Sequence, residues 1–216
     1  MGAGTGRPVT GHDRRPPLIA IDGPAGAGKS TVSKAVAARL GLDRLDTGAM
    51  YRSVAWEVLR EGIAPDDETA VAKVARHATI EVGAAVTMNG TDVTDAIRSP
   101  EVSRAVSVVA ANPAVRAEMV KRQRAWAEGR PGGVVEGRDI GSVVFPEATV
   151  KVYLTASAEE RARRRGGDEP ADGVARRDLL DSTRSASPLT VAADAHVLDT
   201  TGRSVEDVVG EVLSWL

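Results

Sequence analysis

Gly23, Gly28, Lys29 and Ser30 stand at the spacing Gly-x4-Gly-Lys-Ser, inside a stretch that runs Ile-Asp-Gly-Pro-Ala-Gly-Ala-Gly-Lys-Ser-Thr from Ile21 to Thr31. Glycines at such positions let backbone N–H groups curl around phosphate oxygens where a helix begins. A lysine there reaches the β and γ phosphates of a nucleoside triphosphate, and the serine hydroxyl is placed to ligate Mg²⁺. The segment Gly23, Pro24, Ala25, Gly26, Ala27, Gly28, Lys29, Ser30 and Thr31 is therefore expected to bind ATP or GTP, with Lys29 as the catalytic cation and Ser30 on the metal. A flexible turn is the alternative, and the flanking residues argue against it.

Leu18 to Ile21 form a short apolar run ended by Asp22 and Gly23, which suits a strand buried on both faces of a parallel sheet. From Lys29 to Leu40, Val32, Val36 and Leu40 recur at helical spacing, and Gly41 is a natural stop. Further buried strands are expected at 42–45, 133–136, 149–155 and 195–199, with helical patterns between most of them. A last helix has Ser204 as cap, Asp207 three residues on, and Val205, Val208, Val209, Val212, Leu213 and Leu216 on one face. This alternation predicts an α/β chain, a three-layer α/β/α fold whose five-stranded parallel sheet is covered on both faces.

Two stretches break the alternation. Residues 79–94 read as short strands turning at Gly83 and Asn89-Gly90, a small antiparallel insertion. Ser99-Pro100 then starts a helix, Asn112-Pro113 interrupts it and starts another, and Gly129 ends that one. The second stretch carries seven arginines between Arg161 and Arg184 around a Gly/Pro-rich middle.

Composition removes several classes of function. The 216 residues are 42% hydrophobic and 27% charged with net charge −2, as expected of one soluble globular unit or a domain with an insertion. No run approaches the roughly 18 apolar residues of a membrane span. Residues 1–17, rich in Gly, Pro and Arg, offer neither a signal-peptide core nor a periodic face, so they read as a tail and the protein as cytoplasmic. Cysteine is absent and His12, His77 and His196 are scattered, which excludes disulfides and argues against a zinc cluster. Aromatics at 3% leave little for stacking nucleic acid bases, and no nucleic-acid partner is expected.

Residues 45–52 (Leu-Asp-Thr-Gly-Ala-Met-Tyr-Arg), 134–146 (Val-Val-Glu-Gly-Arg-Asp-Ile-Gly-Ser-Val-Val-Phe-Pro) and 176–189 (Arg-Arg-Asp-Leu-Leu-Asp-Ser-Thr-Arg-Ser-Ala-Ser-Pro-Leu), together with the loop, resemble bacterial cytidylate kinases. The resemblance runs from about Leu18 to Leu216 and implies a P-loop nucleoside monophosphate kinase, transferring the γ-phosphoryl group of ATP to CMP or dCMP with Mg²⁺. Such an acceptor brings a second phosphate against the first, so arginines must crowd the site. Arg52, Arg138 and Arg184 are candidates for that clamp, the last two also as catalytic residues with Lys29. Taken singly, each arginine would read as a surface ion pair.

Arg177, Asp181 and Arg184 share one helical face at i, i+4 and i+7, where a solvated ladder of ion pairs would be structurally sufficient. The resemblance instead implies that Arg177 and Asp181 contact the acceptor's ribose and nearby phosphate. It also implies that Ser107, Arg116 and Asp139 read the cytosine edge and that Thr47 lies in the acceptor pocket. Carboxylate and guanidinium partners suit cytosine, which presents an amino donor beside acceptors. Glu136 and Asp139 could be a paired acid and base, but a phosphate monoester oxygen is already nucleophilic near neutral pH and needs positioning and charge neutralisation more than a base.

Residues 160–184 read as a lid, shorter than the family's usual hairpin, with Gly166-Gly167 and Pro170 as hinges and Arg161, Arg164 and Arg165 as candidate phosphate contacts. Repulsion among Arg161, Arg163, Arg164, Arg165, Arg176 and Arg177 is expected to keep it open until a triphosphate supplies countercharge. The expected organisation is a tail at 1–17, a core of 18–46, 131–159 and 185–216, an acceptor-binding domain at 47–130 and the lid, all in a monomer. A kinase for another small acceptor is the nearest rival. A non-catalytic nucleotide sensor with a partner on 79–94 is a second, and the arginine-bearing acceptor motifs speak against it.

Overall fold

The structure is a computed structural model that describes residues 16–165, 178–183 and 189–216. Five parallel strands form its centre, in the order β2-β6-β1-β7-β8. They are β1 (Leu18–Asp22), β2 (Arg44–Asp46), β6 (Gly133–Glu136), β7 (Val150–Thr155) and β8 (His196–Asp199). Between β2 and β6 come α2 (Thr47–Arg60), α3 (Glu68–His77), a three-stranded antiparallel sheet, α4 (Pro100–Ala111) and α5 (Pro113–Glu128). The small sheet consists of β3 (Ile80–Val82), β4 (Val86–Met88) and β5 (Thr91–Asp92), and a 3-10 turn at Ala96–Arg98 leads on to α4. The remaining helices are α1 (Lys29–Leu40), α6 (Ala158–Arg165), α7, described over 178–183, and α8 (Val205–Leu213).

Strand alternation assigns each face of the sheet its helices. Ile19 and Ile21 of β1 point to one side, where they join Val32 and Val36 of α1 and Val208, Val209 and Val212 of α8. Ala20, between them, points to the other side, into a core with Val54 and Val58 of α2, Val106 and Val109 of α4, and Met119 of α5. β1 is thus covered on both faces, as its unbroken apolar run requires.

The local stop and start signals act as read. Ser99 accepts the N–H of Val102 ahead of α4, and Asn112 accepts those of Ala114 and Val115 ahead of α5. Asn89 (φ 51°) and Gly90 (φ 79°) turn β4 into β5, a conformation that asparagine and glycine tolerate best.

Four expectations shift. The second strand lies at Arg44–Asp46, because the chain leaves α1 through left-handed Gly41 and the Leu42 N–H is still bonded back to the Ala37 carbonyl. β8 is an edge strand with only Leu198 buried, since no strand continues the sheet beyond it among the described residues. Val205 and Leu216 are exposed: the first opens α8 at the rim of a cleft and the second lies past the helix end. Ordered pairing also begins one residue before Leu18, where the Pro17 carbonyl accepts the N–H of Gly133. Residues 1–15 of the expected tail lie outside the described residues.

Candidate active site

A cleft of about 700 Å³ opens beyond the carboxyl ends of β1, β2 and β6, the side of an open parallel sheet where ligands bind. One end is the loop between β1 and α1. At Gly23 the backbone adopts φ 143°, and a Cβ would stand 2.1 Å from the Leu154 carbonyl oxygen, so only glycine fits. At Gly26, φ 78°, a Cβ would meet the Arg161 backbone at 2.7 Å. Gly28 caps α1 without a side chain and leaves the first-turn N–H groups for a ligand.

Lys29 lies folded over this loop, its Nζ donating to the carbonyls of Gly23 and Pro24, each at 2.7 Å. Burial and the Arg138 guanidinium lower its pKa, against the pull of Glu136, Asp22 and Asp181. Ser30 donates to Glu136 at 2.7 Å, and Ser33 donates to the other oxygen of the same carboxylate. Burial raises the pKa of Glu136, as does Asp46, while the two serines and Arg44 oppose the shift. Glu136 thus orients the loop hydroxyls, a role its sequence context did not disclose.

The other end is built from side chains on separate elements. Asp46, closing β2, caps α2 through the Ala49 N–H and pairs with Arg52 at 3.1 Å. Thr47 donates to the Glu136 carbonyl at 2.7 Å. Arg116 on α5 and Asp139 after β6 form a buried ion pair, their side chains 4% and 6% exposed, and the guanidinium also lies 5.4 Å from the Tyr51 ring centroid. Ser107 of α4 lines the same wall. The Arg116 Nε is buried and has no hydrogen-bond partner among the described residues. Such an orphan donor is costly unless a ligand completes it.

Arg138 donates to Asp181 of α7 at 2.9 Å. Asp22, ending β1, accepts the N–H of Ile140 at 2.8 Å and of Gly141 at 2.7 Å, at the head of the single π-helical turn Ile140–Val144. Burial pushes its carboxyl up to about 6, the two N–H bonds oppose that, and the Asp139 charge adds to it against Lys29.

The cleft gathers Ala25 to Thr31 with Thr47, Arg52, Ser107, Arg116, Arg138, Asp139 and Asp181, as well as Arg164 and Arg165. Gly23 and Pro24 serve it indirectly, by holding Lys29. Arg161 is not among its lining residues: it pairs with Asp178 and donates to the Ala25 carbonyl at 3.2 Å, while Asp178 accepts the Ala25 N–H at 3.1 Å.

The expected mutual repulsion of the lid arginines is corrected on α6, because Arg163 and Arg164 both pair with Glu160 and Arg164 also donates to Thr200. Carboxylates already supply the countercharge there. Arg177, Arg184, Arg176, the hinges at Gly166, Gly167 and Pro170 lie outside the described residues. Asp22, Asp46 and Glu136, which the sequence reading left without a role, each end a strand beside the cleft. An acidic residue closing an apolar run was the available signal; Asp178, which holds the Ala25 N–H, and Arg98, which lines the cleft, had none.

The family model described as cytidylate kinase matches residues 19–216. The chain is 51% identical to the cytidylate kinase of Desulfitobacterium hafniense over 91% of this chain and 90% of that protein. It is also 50% identical to a bifunctional pantoate ligase/cytidylate kinase of Trichormus variabilis, covering 93% of this chain but only 41% of that longer protein. Among solved structures, a gluconokinase from Sinorhizobium meliloti superposes with a TM-score of 0.52 at 17% identity, covering 94% of this chain and 92% of that one, a likeness of fold. On the match to the family model and the identity to its members, the chain belongs to the cytidylate kinase family.

Proposed function

We propose that this protein transfers the γ-phosphoryl group of ATP to CMP or dCMP, giving ADP and CDP or dCDP, as a cytoplasmic monomer. The observation that carries the choice of acceptor is the Arg116–Asp139 pair, buried in the same cleft as the phosphate loop with the Arg116 Nε still lacking an acceptor. Cytosine offers what this wall lacks. Its carbonyl and ring nitrogen accept from a guanidinium, and its amino group donates to a carboxylate; uracil turns a carbonyl toward that carboxylate instead. Residues 47–130 then form the acceptor-binding unit.

Lys29 exchanges the Gly23 and Pro24 carbonyls for phosphate oxygens, whose negative charge offsets the burial and the Arg138 repulsion that lower its pKa. Arg138, steadied by Asp181, and Arg52, steadied by Asp46, hold the acceptor phosphate in line with the transferring group; the family resemblance assigns Arg184 and Arg177 to the same phosphate. Bringing two anions together is the main barrier, and fixed cations answer it better than a base would. Arg164 and Arg165 lie on the donor side.

The Ser30 hydroxyl donates a hydrogen bond to Glu136 and keeps its lone pairs for a cation. With nucleotide oxygens it makes the all-oxygen donor set that Mg²⁺ takes. Ser30 would hold the ion, which supplies charge neutralisation between the phosphates. Among the described residues no group of three His, Cys, Asp or Glu side chains is placed to hold a metal, as fits an ion carried mainly by the nucleotide.

The acceptor reading is tested by Asp139→Ala and Asp139→Asn with CMP and UMP in parallel. Loss of one base-reading contact is worth about 1 to 3 kcal/mol, so the CMP-over-UMP preference should shrink about 5- to 150-fold. An equal fall for both nucleotides, in a variant that still melts cooperatively, would show that Asp139 does not read the base.

A further inference from the structure

Asp22 touches neither end of the cleft and yet connects them. Gly23, the next residue, opens the phosphate loop. Both carboxylate oxygens of Asp22 are taken by consecutive backbone N–H groups, Ile140 on one and Gly141 on the other. Ile140 directly follows Arg138 and Asp139, so the carboxylate grips the segment that carries the phosphate clamp and the cytosine reader. The β1–β6 ladder stops at Ile21 opposite Glu136. Beyond that point the Gly137 N–H to the Ile21 carbonyl and the two bonds to Asp22 tie the segment to β1.

The turn is also wedged from behind. A Cβ at Gly141 would stand 3.1 Å from the Lys151 side chain, so the turn cannot slide toward β7 without displacing that buried stem. We infer that Asp22 is a positioning residue: by chelating the Ile140 and Gly141 N–H groups it sets the distance between the donor loop and the Arg138-Asp139 segment, and so the alignment of acceptor with donor. The inference rests on the acceptor reading above, since it takes Arg138 and Asp139 to meet the acceptor.

Several charged and titratable groups face Asp22. Asp139 comes from the turn itself and Lys29 from α1, while Arg138 and Tyr153 on β7 both feel its charge. Ionised, Asp22 accepts both N–H groups. Protonated, it must present a hydroxyl to one of them and release it.

The test has a kinetic arm and an arm on the unaltered protein. Asp22→Asn places an amide donor against one N–H and loosens the turn while keeping the shape. A misplacement of the order of 1 Å can cost about a hundredfold, so kcat/KM for CMP should fall by about that factor, while the Kd for ATP measured alone stays within about threefold. Parallel losses toward ATP and CMP, or kinetics like the unaltered enzyme, would overturn the assignment.

In the unaltered protein, the Ile140 and Gly141 amide resonances should shift together with one midpoint near the Asp22 value of about 6. Saturating cytidine, which has no phosphate to titrate, should move that midpoint downward, because the base binds the arrangement with Asp22 ionised. A midpoint indifferent to cytidine would also overturn it, whether or not Asp22→Asn folds. If CMP is not a substrate at all, the acceptor reading fails first. The same kinetic comparison, run with whichever monophosphate is turned over, then still decides the role of Asp22.

Discussion

On the proposed function, consecutive residues from Ala25 to Thr31 supply the phosphate cradle at the donor end of the cleft, largely through backbone; the acceptor end draws Arg52, Ser107, Arg116 and Asp139 from α2, α4, α5 and the segment after β6. The donor cradle carries its special conformations in glycines and its charge in one lysine. The acceptor wall is a set of charges paired with one another: Arg116 with Asp139, Arg138 with Asp181, Arg52 with Asp46. A buried ion pair contributes little net stability, but once made it is costly to break. The acceptor end therefore spends fold stability on geometry, whereas the donor end needs only a local turn between a strand and a helix.

The sharpest way to break that contrast is at Lys29. Lys29→Met removes the cation of the phosphate loop without touching a buried ion pair, so turnover should fall on the order of a thousandfold or more with the melting temperature held. Near-normal turnover in the folded variant would remove the phosphate loop from the mechanism. A smaller effect is expected at Arg138. Arg138→Ala takes away an acceptor clamp and its ion pair with Asp181, so activity should fall about a hundredfold by nearly the same factor for CMP, dCMP and UMP. A loss confined to cytidine nucleotides would mean that Arg138 reads the base, and the separation of clamp from reader would fail.

The same contrast explains what the sequence disclosed. The phosphate loop, its flanking strand and helix, the caps at Ser99, Asn112 and Ser204, and the Asn89-Gly90 turn are all local signals, and each stands where its residues placed it. Arg116 and Asp139 lie 23 residues apart, and nothing in their neighbourhoods joins them. Resemblance to a family brought them together, because their meeting depends on how α5 packs beside the turn after β6. Glu136 and Asp22 escaped for another reason. Their roles are toward serine hydroxyls and backbone N–H groups, partners that leave no mark in residue spacing. β8 read as buried because His196 to Asp199 has strand-forming residues, while its position at the edge of the sheet is decided by topology.

The central claim, a donor loop facing a cytosine-reading wall, is tested most directly by ADP release from ATP and Mg²⁺ over a panel of CMP, dCMP, UMP, AMP and GMP. The account predicts turnover with CMP and dCMP well above the other three, and ADP release that depends on the acceptor. Turnover led by AMP or GMP, or ADP release indifferent to which monophosphate is present, would contradict it.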